Sequence, residues 1–258
     1  MRRFVFAGLM MVCGVARGQN APSVFDVATV KLVDPGPRAS RILKMDGTKH
    51  FVAQNFTVKL LIAAAYDLNA KEISGGPAWM ESEHYNIEAR TPGETRPGRP
   101  EQMAMLRGLL VDRFGLKFHR EPKVMSMYLL TVAPGGPKLK TSASAPDAQP
   151  QTISTVYPQK IVMPARNASM GDFVAVMQRA ILDRPVVDKT GLTGRYDFDL
   201  EWAPDETQFG GEIPAAKEDA PSPPLFVAVR EQMGLKLEAT KGPVDAFVVD
   251  GVARPSAD

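Results

Sequence analysis

The sequence predicts an α+β protein built from two similar α-β-α-β-β units with mainly antiparallel sheets. Three features occur twice in the same order: a capped apolar helix, an alternating strand, and a second helix that ends in Gly-Leu-Lys. The positions compared are Asn55 and Asn167 just before the first helix, Tyr85 and Tyr196 at the start of the strand, and Gly115 and Gly234 at the end of the second helix. The copies are offset by 112, 111 and 119 residues at these points. This agreement indicates an internal duplication, and the alternative is a coincidence between common elements.

The first eighteen residues predict a secretory signal peptide. Two arginines after Met1 precede thirteen apolar residues, 4–16. Ala16 and Gly18 then supply the small residues that a cleavage site needs, which predicts cleavage near Gly18-Gln19. Thirteen residues are too few to span a bilayer as a helix, and no later segment reaches 18 apolar residues. We therefore expect a secreted or periplasmic protein with no transmembrane span after signal removal.

Removal of the signal peptide changes the charge and the cysteine content. The 258-residue chain has 31 Lys and Arg, 29 Asp and Glu, a formal charge of +2 and one cysteine, Cys13. Without residues 1–18 the formal charge is −1 and no cysteine remains. Disulfides, thiolate zinc sites and cysteine nucleophiles are thereby excluded. No run of Lys or Arg indicates a nucleic-acid surface, so we expect no nucleic-acid partner.

The first unit is predicted over residues 19–140. Thr57 resembles an N-cap, because its side-chain oxygen can accept a hydrogen bond from the first turn of the helix that follows. Gly115 supplies the left-handed residue that ends the second helix. The expected elements are a helix from residue 58 (VKLLIAAAY), a strand at 85–89, a helix at 103–114, a strand at 116–121, a turn, and a closing strand at 128–133.

The second unit is predicted over residues 152–258, after a linker at 141–151 (TSASAPDAQPQ). Ser169 resembles the N-cap of its first helix. Residues 203–224 are rich in Pro, Gly and acidic side chains without periodicity, which predicts a mobile loop. The other expected elements are a strand at 196–200, a helix at 225–233, a strand from 235, a turn, and a closing strand at 246–251.

No combination of residues identifies a catalytic or metal site. The three histidines are separated by 34 and 35 residues, without the local spacing of metal ligands. Asp197, Asp199 and Glu201 occupy alternate positions, as on a solvated strand face, and offer too few ligands for calcium on their own. We therefore predict no catalytic residue, no cofactor and no metal ion.

The segment ISGGPAW, residues 73–79, is the best candidate for a contact with a partner or ligand. Gly75, Gly76 and the proline after them restrict the backbone just before Trp79, and a rigid turn can present an aromatic anchor. The alternative is that Trp79 closes the core over the first helix. Arg195, which corresponds to His84 in the other copy, is the fourth candidate contact residue.

Several segments together resemble a known family. They are FDVATVKL (25–32), ISGGPAWMESEHYNIEA (73–89), LLVDRFGLKFHRE (109–121), PVVDKTGLTGRYDFDLEW (185–202), and EQMGLKL with VVDGVARPS within 231–256. These segments are similar to the soil-associated, acidobacterial-type family of exported proteins of unknown function. The resemblance implies a secreted or periplasmic location and supplies no catalytic residues. The order of elements is more loosely similar to the short N-terminal domain of secretins and TonB-dependent receptors, which binds partners in the periplasm.

These observations predict an exported, non-catalytic binding or protein-interaction module of the cell envelope. Its partner is expected to be an envelope or periplasmic protein or a small ligand. The alternative function is a periplasmic or secreted hydrolase that uses dispersed acidic and histidine residues, such as Asp112, His119 or Asp188. Convergence of those side chains in a deep pocket would favour the hydrolase.

Overall fold

The computed structural model describes residues 24–36, 40–44, 49–94, 97–145 and 148–255. The predicted signal peptide and its cleavage point lie outside these residues. Within the described part of the chain, five α-helices and thirteen strands form three mostly antiparallel sheets, so the predicted α+β class is confirmed. None of the described helices combines the length and apolar character that crossing a membrane requires.

The first half of the chain, up to residue 132, forms a four-stranded sheet in the order β1-β5-β3-β2 with helices packed against it. Its elements are β1 (Val27–Val33), β2 (Ile42–Lys44), β3 (His50–Thr57), α1 (Val58–Ala65), a 3-10 turn (Ala70–Glu72), β4 (Ile73–Gly75), α2 (Trp79–Ser82), β5 (His84–Arg90), α3 (Arg99–Phe114) and β6 (Lys117–Val132).

The second half, from residue 133, forms a second sheet in the order β7-β12-β10-β8, with β9 also paired to β10. Its elements are β7 (Lys140–Thr141), β8 (Gln151–Thr152), β9 (Thr155–Tyr157), β10 (Lys160–Ala168), α4 (Met170–Val176), a π-helical turn (Met177–Ile181), β11 (Val186–Asp188), β12 (Tyr196–Trp202), a 3-10 turn (Phe209–Gly211), α5 (Leu225–Met233) and β13 (Leu235–Gly251).

The two halves begin their first helices in the same way, and both predicted N-caps are confirmed. The side chains of Thr57 and Ser169 accept hydrogen bonds from backbone N–H groups three residues ahead, at 3.3 and 3.1 Å. Two residues before each cap, Asn55 and Asn167 take positive φ angles of 61° and 51° and interrupt the strand register. The N–H of each of these asparagines donates to a side chain of the neighbouring strand, Asn86 or Asp197, at 2.9 Å.

The last two strands predicted for each unit are one continuous strand. β6 pairs antiparallel with β13 along its whole length, and the two form a ribbon about 50 Å long. The turns predicted after residues 121 and 240 are therefore wrong. Pro122 and Pro243 are tolerated because each strand has only one described neighbour in this part of the ribbon, so the missing proline N–H can face the open side.

The ribbon carries strands from each half into the core of the other. Tyr128 and Leu130 of β6 are buried in the second core, with α4 and α5. Phe247 and Val249 of β13 are buried in the first core, with α1 and α3. We call the end of each ribbon strand that enters the core of the other half its crossing end. The crossing end of β13 pairs with the short parallel strand β4, and the crossing end of β6 pairs with the short parallel strand β11. Neither half completes its core without the end of the other half's last strand.

The loop at residues 203–224 lies on the second core. Trp202 is fully buried and donates its indole N–H to Gln208 Oε1 at 2.8 Å. Phe209 and Ile213 pack against the same core. These contacts attach the first part of the loop, and its mobility stays a prediction.

Candidate functional site

The strongest candidate binding surface surrounds the end of α1. The N–H of Tyr66 caps this helix by donating to Ile62 O at 3.0 Å, and Asp67 then takes a positive φ of 53° that turns the chain. The Tyr66 ring meets the ribbon on one side and α3 on the other. We call this surface the arginine–aromatic face, and it consists of Tyr66, Arg107, Phe118, Arg120 and Phe247.

Three rings form the centre of the arginine–aromatic face. The Tyr66 ring centroid lies 5.2 Å from that of Phe118 and 5.0 Å from that of Phe247. Phe118 and Phe247 stack with centroids 4.1 Å apart and an interplanar angle of 17°. Phe247 is fully buried, whereas Phe118 is 36% exposed. The cluster is thus anchored in the first core and presents one ring to solvent.

Two arginines flank these rings. Arg107 Cζ lies 5.6 Å from the Tyr66 centroid, and Arg120 Cζ lies 5.1 Å from the Phe247 centroid, both within cation–π range. Arg107 donates to Ala65 O at 2.6 Å and Arg120 donates to Asp245 O at 2.9 Å. Neither guanidinium forms an ion pair with a carboxylate among the described residues.

The electrostatics of Tyr66 reflect the same two charges. Burial raises the pKa of the Tyr66 hydroxyl above its ordinary value, and the positive charges of Arg107 and Arg120 oppose that rise. The charges of both guanidinium groups therefore act on the hydroxyl of Tyr66.

Asp67, the residue after Tyr66, forms ion pairs with two other arginines. It pairs with Arg99 and with Arg179, whose Nε lies 3.3 Å from Asp67 Oδ1. Arg179 belongs to the π-helical turn, a local structure that is frequent at functional sites. Burial and the charge of Arg99 lower the pKa of Arg179 to about 10. Among the described residues, the ion-pair partners of Asp67 are thus Arg99 and Arg179 rather than Arg107 or Arg120.

Glu72 is a buried carboxyl group in the same region. It is 5% exposed and accepts a hydrogen bond from the Asn69 N–H at 2.6 Å. Burial raises the pKa of Glu72 to about 7, against the lowering effects of the Asn69 hydrogen bond and the Arg120 charge, while Asp245 raises it further. In the folded protein Glu72 therefore titrates near neutral pH.

Glu72→Gln is expected to remove a pH dependence of stability. Between its unfolded pKa of 4.5 and its folded pKa of about 7, Glu72 ionises more readily in the unfolded chain, so the wild-type protein loses stability as pH rises. Glutamine keeps the acceptor for Asn69 and cannot ionise. Urea unfolding measures the free energy of unfolding of both proteins. The value for the variant minus that for the wild type should rise by about 2 kcal/mol from pH 5 to pH 8. An equal pH slope in both proteins would contradict this assignment.

The arginine–aromatic face combines groups that recognise a particular chemistry. Guanidinium groups donate paired hydrogen bonds to carboxylates and phosphates. Exposed aromatic and arginine side chains are enriched at the energetic centres of interfaces. The face therefore fits a ligand that carries an anionic group beside an apolar or aromatic group. In the described part of the chain, no cluster of three or more metal-ligating side chains is present.

Gly75 and Gly76 lie where the chain leaves β4 beside β13. Their φ angles are 76° and 73°, in the left-handed region that favours glycine. A Cβ atom on Gly75 would lie 2.6 Å from Val249 O, so the close approach of β4 to β13 requires glycine there. The backbone conformation explains both glycines and close packing also explains Gly75, and contact of either residue with a partner stays a prediction.

Trp79 begins α2 and is half-buried against the first core. Arg254 Cζ lies 5.0 Å from its ring centroid, and the same guanidinium binds Glu83 through contacts of 2.6 to 3.0 Å. The hydrogen bond from Arg254 holds the pKa of Glu83 below its usual range. Trp79 thus helps to attach the C-terminal segment to the first half, and its role as a partner contact is untested.

Arg195 lies immediately before β12 in the second half. Its guanidinium donates to Asn167 O at 2.9 Å. The corresponding residue of the first half, His84, places Nδ1 3.4 Å from Asn55 O. Both side chains thus support the carbonyl of an asparagine with positive φ, which gives Arg195 a structural role apart from any ligand contact.

The residues of the hydrolase alternative do not converge. Asp112 is exposed on α3. His119 Nδ1 lies 2.8 Å from Asp250 Oδ1 on the ribbon, whereas Asp188 accepts hydrogen bonds from Thr190. Asp188 pairs with Leu130, which is eleven residues along β6 from His119 and so roughly 35 Å away. The three acidic residues of β12 are also engaged separately, by Asn167, Arg166 and Lys160.

Sequence analysis missed the arginine–aromatic face. Its members come from α1, α3 and both strands of the ribbon, so no local spacing connects them. The local feature of the sequence that could have pointed to this face is Tyr66, the one polar aromatic residue at the end of the apolar helical run. A correct pairing of β6 with β13 would also have placed Arg120 directly opposite Phe247.

Comparisons with known proteins identify a family and nothing more specific. No curated protein and no solved structure matches the sequence significantly. A family model described as a protein of unknown function, DUF3738, matches residues 59–252, which is most of the chain. The resemblance to an uncharacterised family is confirmed to this extent. The chain belongs to the DUF3738 family of proteins of unknown function.

Proposed function

We propose that this protein is an exported, non-catalytic binding module of the cell envelope whose ligand or partner carries an anionic group beside an apolar group. The observation that carries the proposal is the arginine–aromatic face. There, Arg107 and Arg120 flank a ring cluster without forming an ion pair among the described residues. A guanidinium that lies beside an aromatic cluster and has no ion-pair partner among the described residues can receive an external carboxylate or phosphate.

Binding of an acidic aromatic peptide tests this proposal. We expect a fluorescent Glu-Glu-Phe-Glu-Glu peptide to bind the wild-type protein more tightly than the same peptide with alanine in place of phenylalanine. Arg107→Ala and Arg120→Ala should each weaken binding by about tenfold to a hundredfold, because loss of a charge-assisted contact costs on the order of 1.5–3 kcal/mol. Fluorescence anisotropy at constant ionic strength measures both effects.

Arg230→Ala is the matched control for that experiment. Arg230 is an exposed arginine on α5 in the second half, so its removal changes the net charge equally and leaves the face intact. The proposal fails if Arg230→Ala weakens binding as much as Arg120→Ala does, or if neither peptide binds.

Export is part of the same proposal, and the support for it is the sequence of residues 1–18. A basic start, thirteen apolar residues and small residues before Gln19 favour recognition by a secretion system. A reporter enzyme that is active only outside the cytoplasm should gain activity when fused behind residues 1–30. In a control fusion, Arg2 and Arg3 are replaced by glutamate and the apolar run is interrupted. If this fusion is as active as the fusion with the native segment, the result argues against export.

We also propose that the two halves arose by internal duplication. The support is the recurrence of matched local features at corresponding positions. They are the asparagines with positive φ before each N-cap, the Gly115 and Gly234 helix ends, and the parallel strands β4 and β11 beside the crossing ends of the ribbon. Duplication of a unit that paired with a second copy of itself would produce such a ribbon.

A further inference from the structure

A cavity of about 390 Å³ lies where the two halves meet, beside the middle of the ribbon. We call it the junction cavity. Its lining consists of Lys71 from the first half, Asp183 and Arg184 from the second half, and Met125 and Ser126 of β6. This volume is within the range of small-molecule sites.

The two halves supply a cation to this cavity from corresponding positions. Lys71 stands two residues before β4, and Arg184 stands two residues before β11. These two strands are the parallel partners of the crossing ribbon ends. One positive charge from each half therefore faces the same cavity.

Asp183 and Tyr128 hold the guanidinium of Arg184 in position. Arg184 Nε donates to Asp183 Oδ2 at 3.0 Å, and the other oxygen of Asp183 accepts from the Tyr128 hydroxyl at 2.9 Å. Arg184 Cζ also lies 5.4 Å from the Tyr128 ring centroid. The inner nitrogen of the guanidinium is thus engaged, whereas its two terminal nitrogens have no hydrogen-bond partner among the described residues.

The Lys71 ammonium is the second cation beside the Asp183 carboxylate. Its Nζ lies 3.4 Å from Asp183 Oδ2, a contact at the long end of ion pairing, and its side chain is 64% exposed. Among the residues that line the cavity, one carboxylate is shared by two cations, so the lining itself carries more positive than negative charge. The paired terminal nitrogens of a fixed guanidinium match the two oxygens of a carboxylate or phosphate.

We propose that the junction cavity binds a small ligand through a carboxylate or phosphate group, which the terminal nitrogens of Arg184 hold in a bidentate contact and Lys71 supports. This site is separate from the arginine–aromatic face. Because the ligand contacts residues of both halves, it binds the assembled junction and stabilises the folded protein by mass action.

The test uses the full chain without its signal segment, with inorganic phosphate and succinate as probes and chloride as the reference at equal ionic strength. Calorimetry should give saturable binding of at least one probe to the wild-type protein, with a rise in melting temperature. Arg184→Lys keeps the charge and removes the bidentate contact, so it should weaken binding at least tenfold. Lys71→Ala should weaken binding severalfold.

Two control variants separate this proposal from its alternatives. Arg230→Lys makes the same chemical change away from the cavity and should bind as wild type does. Arg120→Ala should also bind the probe as wild type does, because Arg120 does not line the junction cavity. Binding of phosphate alone or of succinate alone identifies the group that the cavity takes. The proposal is overturned if neither probe binds beyond chloride, or if Arg184→Lys binds as tightly as wild type while its own melting temperature shows a folded protein.

Discussion

Replacing Phe247 by alanine is expected to destabilise the protein by about 3–5 kcal/mol and to loosen the first half of the chain. Phe247 lies near the C-terminus, but its fully buried ring packs with Tyr66 and Phe118 in the first core. Urea unfolding measures the loss of stability. Hydrogen exchange should become faster in α1 and α3, which line that core, rather than in α5, which precedes β13 in the sequence.

Leu237→Ala is the control on the same strand. Leu237 lies ten residues earlier in β13 and is buried in the second core. Its truncation is expected to cost about 2–5 kcal/mol and to speed exchange in α5 instead. The crossing of the ribbon between cores would be contradicted if Phe247→Ala loosened α5 and left α1 and α3 protected.

Gly234→Ala is expected to destabilise the protein by about 2–5 kcal/mol. Gly234 ends α5 with a φ of 65°, and a left-handed conformation costs a residue with a Cβ about 1–2 kcal/mol. The added Cβ would also overlap Gly136 O and lie 2.8 Å from Lys138 N, so the backbone must shift. Such overpacking adds about 1–3 kcal/mol. Thermal and urea unfolding measure the combined loss.

Gly115→Ala isolates the conformational part of this effect. Gly115 ends α3 with a φ of 59°, and a Cβ there would meet no atom within 4 Å. We expect a cost of only about 1–2 kcal/mol. If both variants lose the same free energy of unfolding, the close contact between Gly234 and residues 136–138 does not contribute to the effect of Gly234→Ala.

The sequence was most informative where a local pattern has a local cause. Thr57 and Ser169 were recognised as caps because a helix start leaves N–H groups that a nearby side-chain oxygen satisfies. Gly115 and Gly234 were recognised as helix ends because both take the left-handed conformation that glycine adopts at low cost. Such features depend on a few neighbouring residues, so they can be predicted without knowledge of the fold.

The sequence misled where the local pattern was ambiguous. Pro122 and Pro243 are typical of turns, yet both lie within long strands. Whether proline breaks a strand depends on whether its nitrogen faces a neighbouring strand, and that is decided by which other strands pair there. The same residues would end a strand in the middle of a sheet.

The sequence by itself determined the α+β class, the positions of the caps and helix ends, and the resemblance to an uncharacterised family. Only the tertiary structure decided that β6 and β13 cross between the cores. It also decided that Arg107 and Arg120 share one ring cluster, and that Lys71 and Arg184 face one cavity. The physical reason is sequence separation. Contacts between residues that are far apart in the sequence depend on how strands pair and cores pack, and no local periodicity encodes that choice.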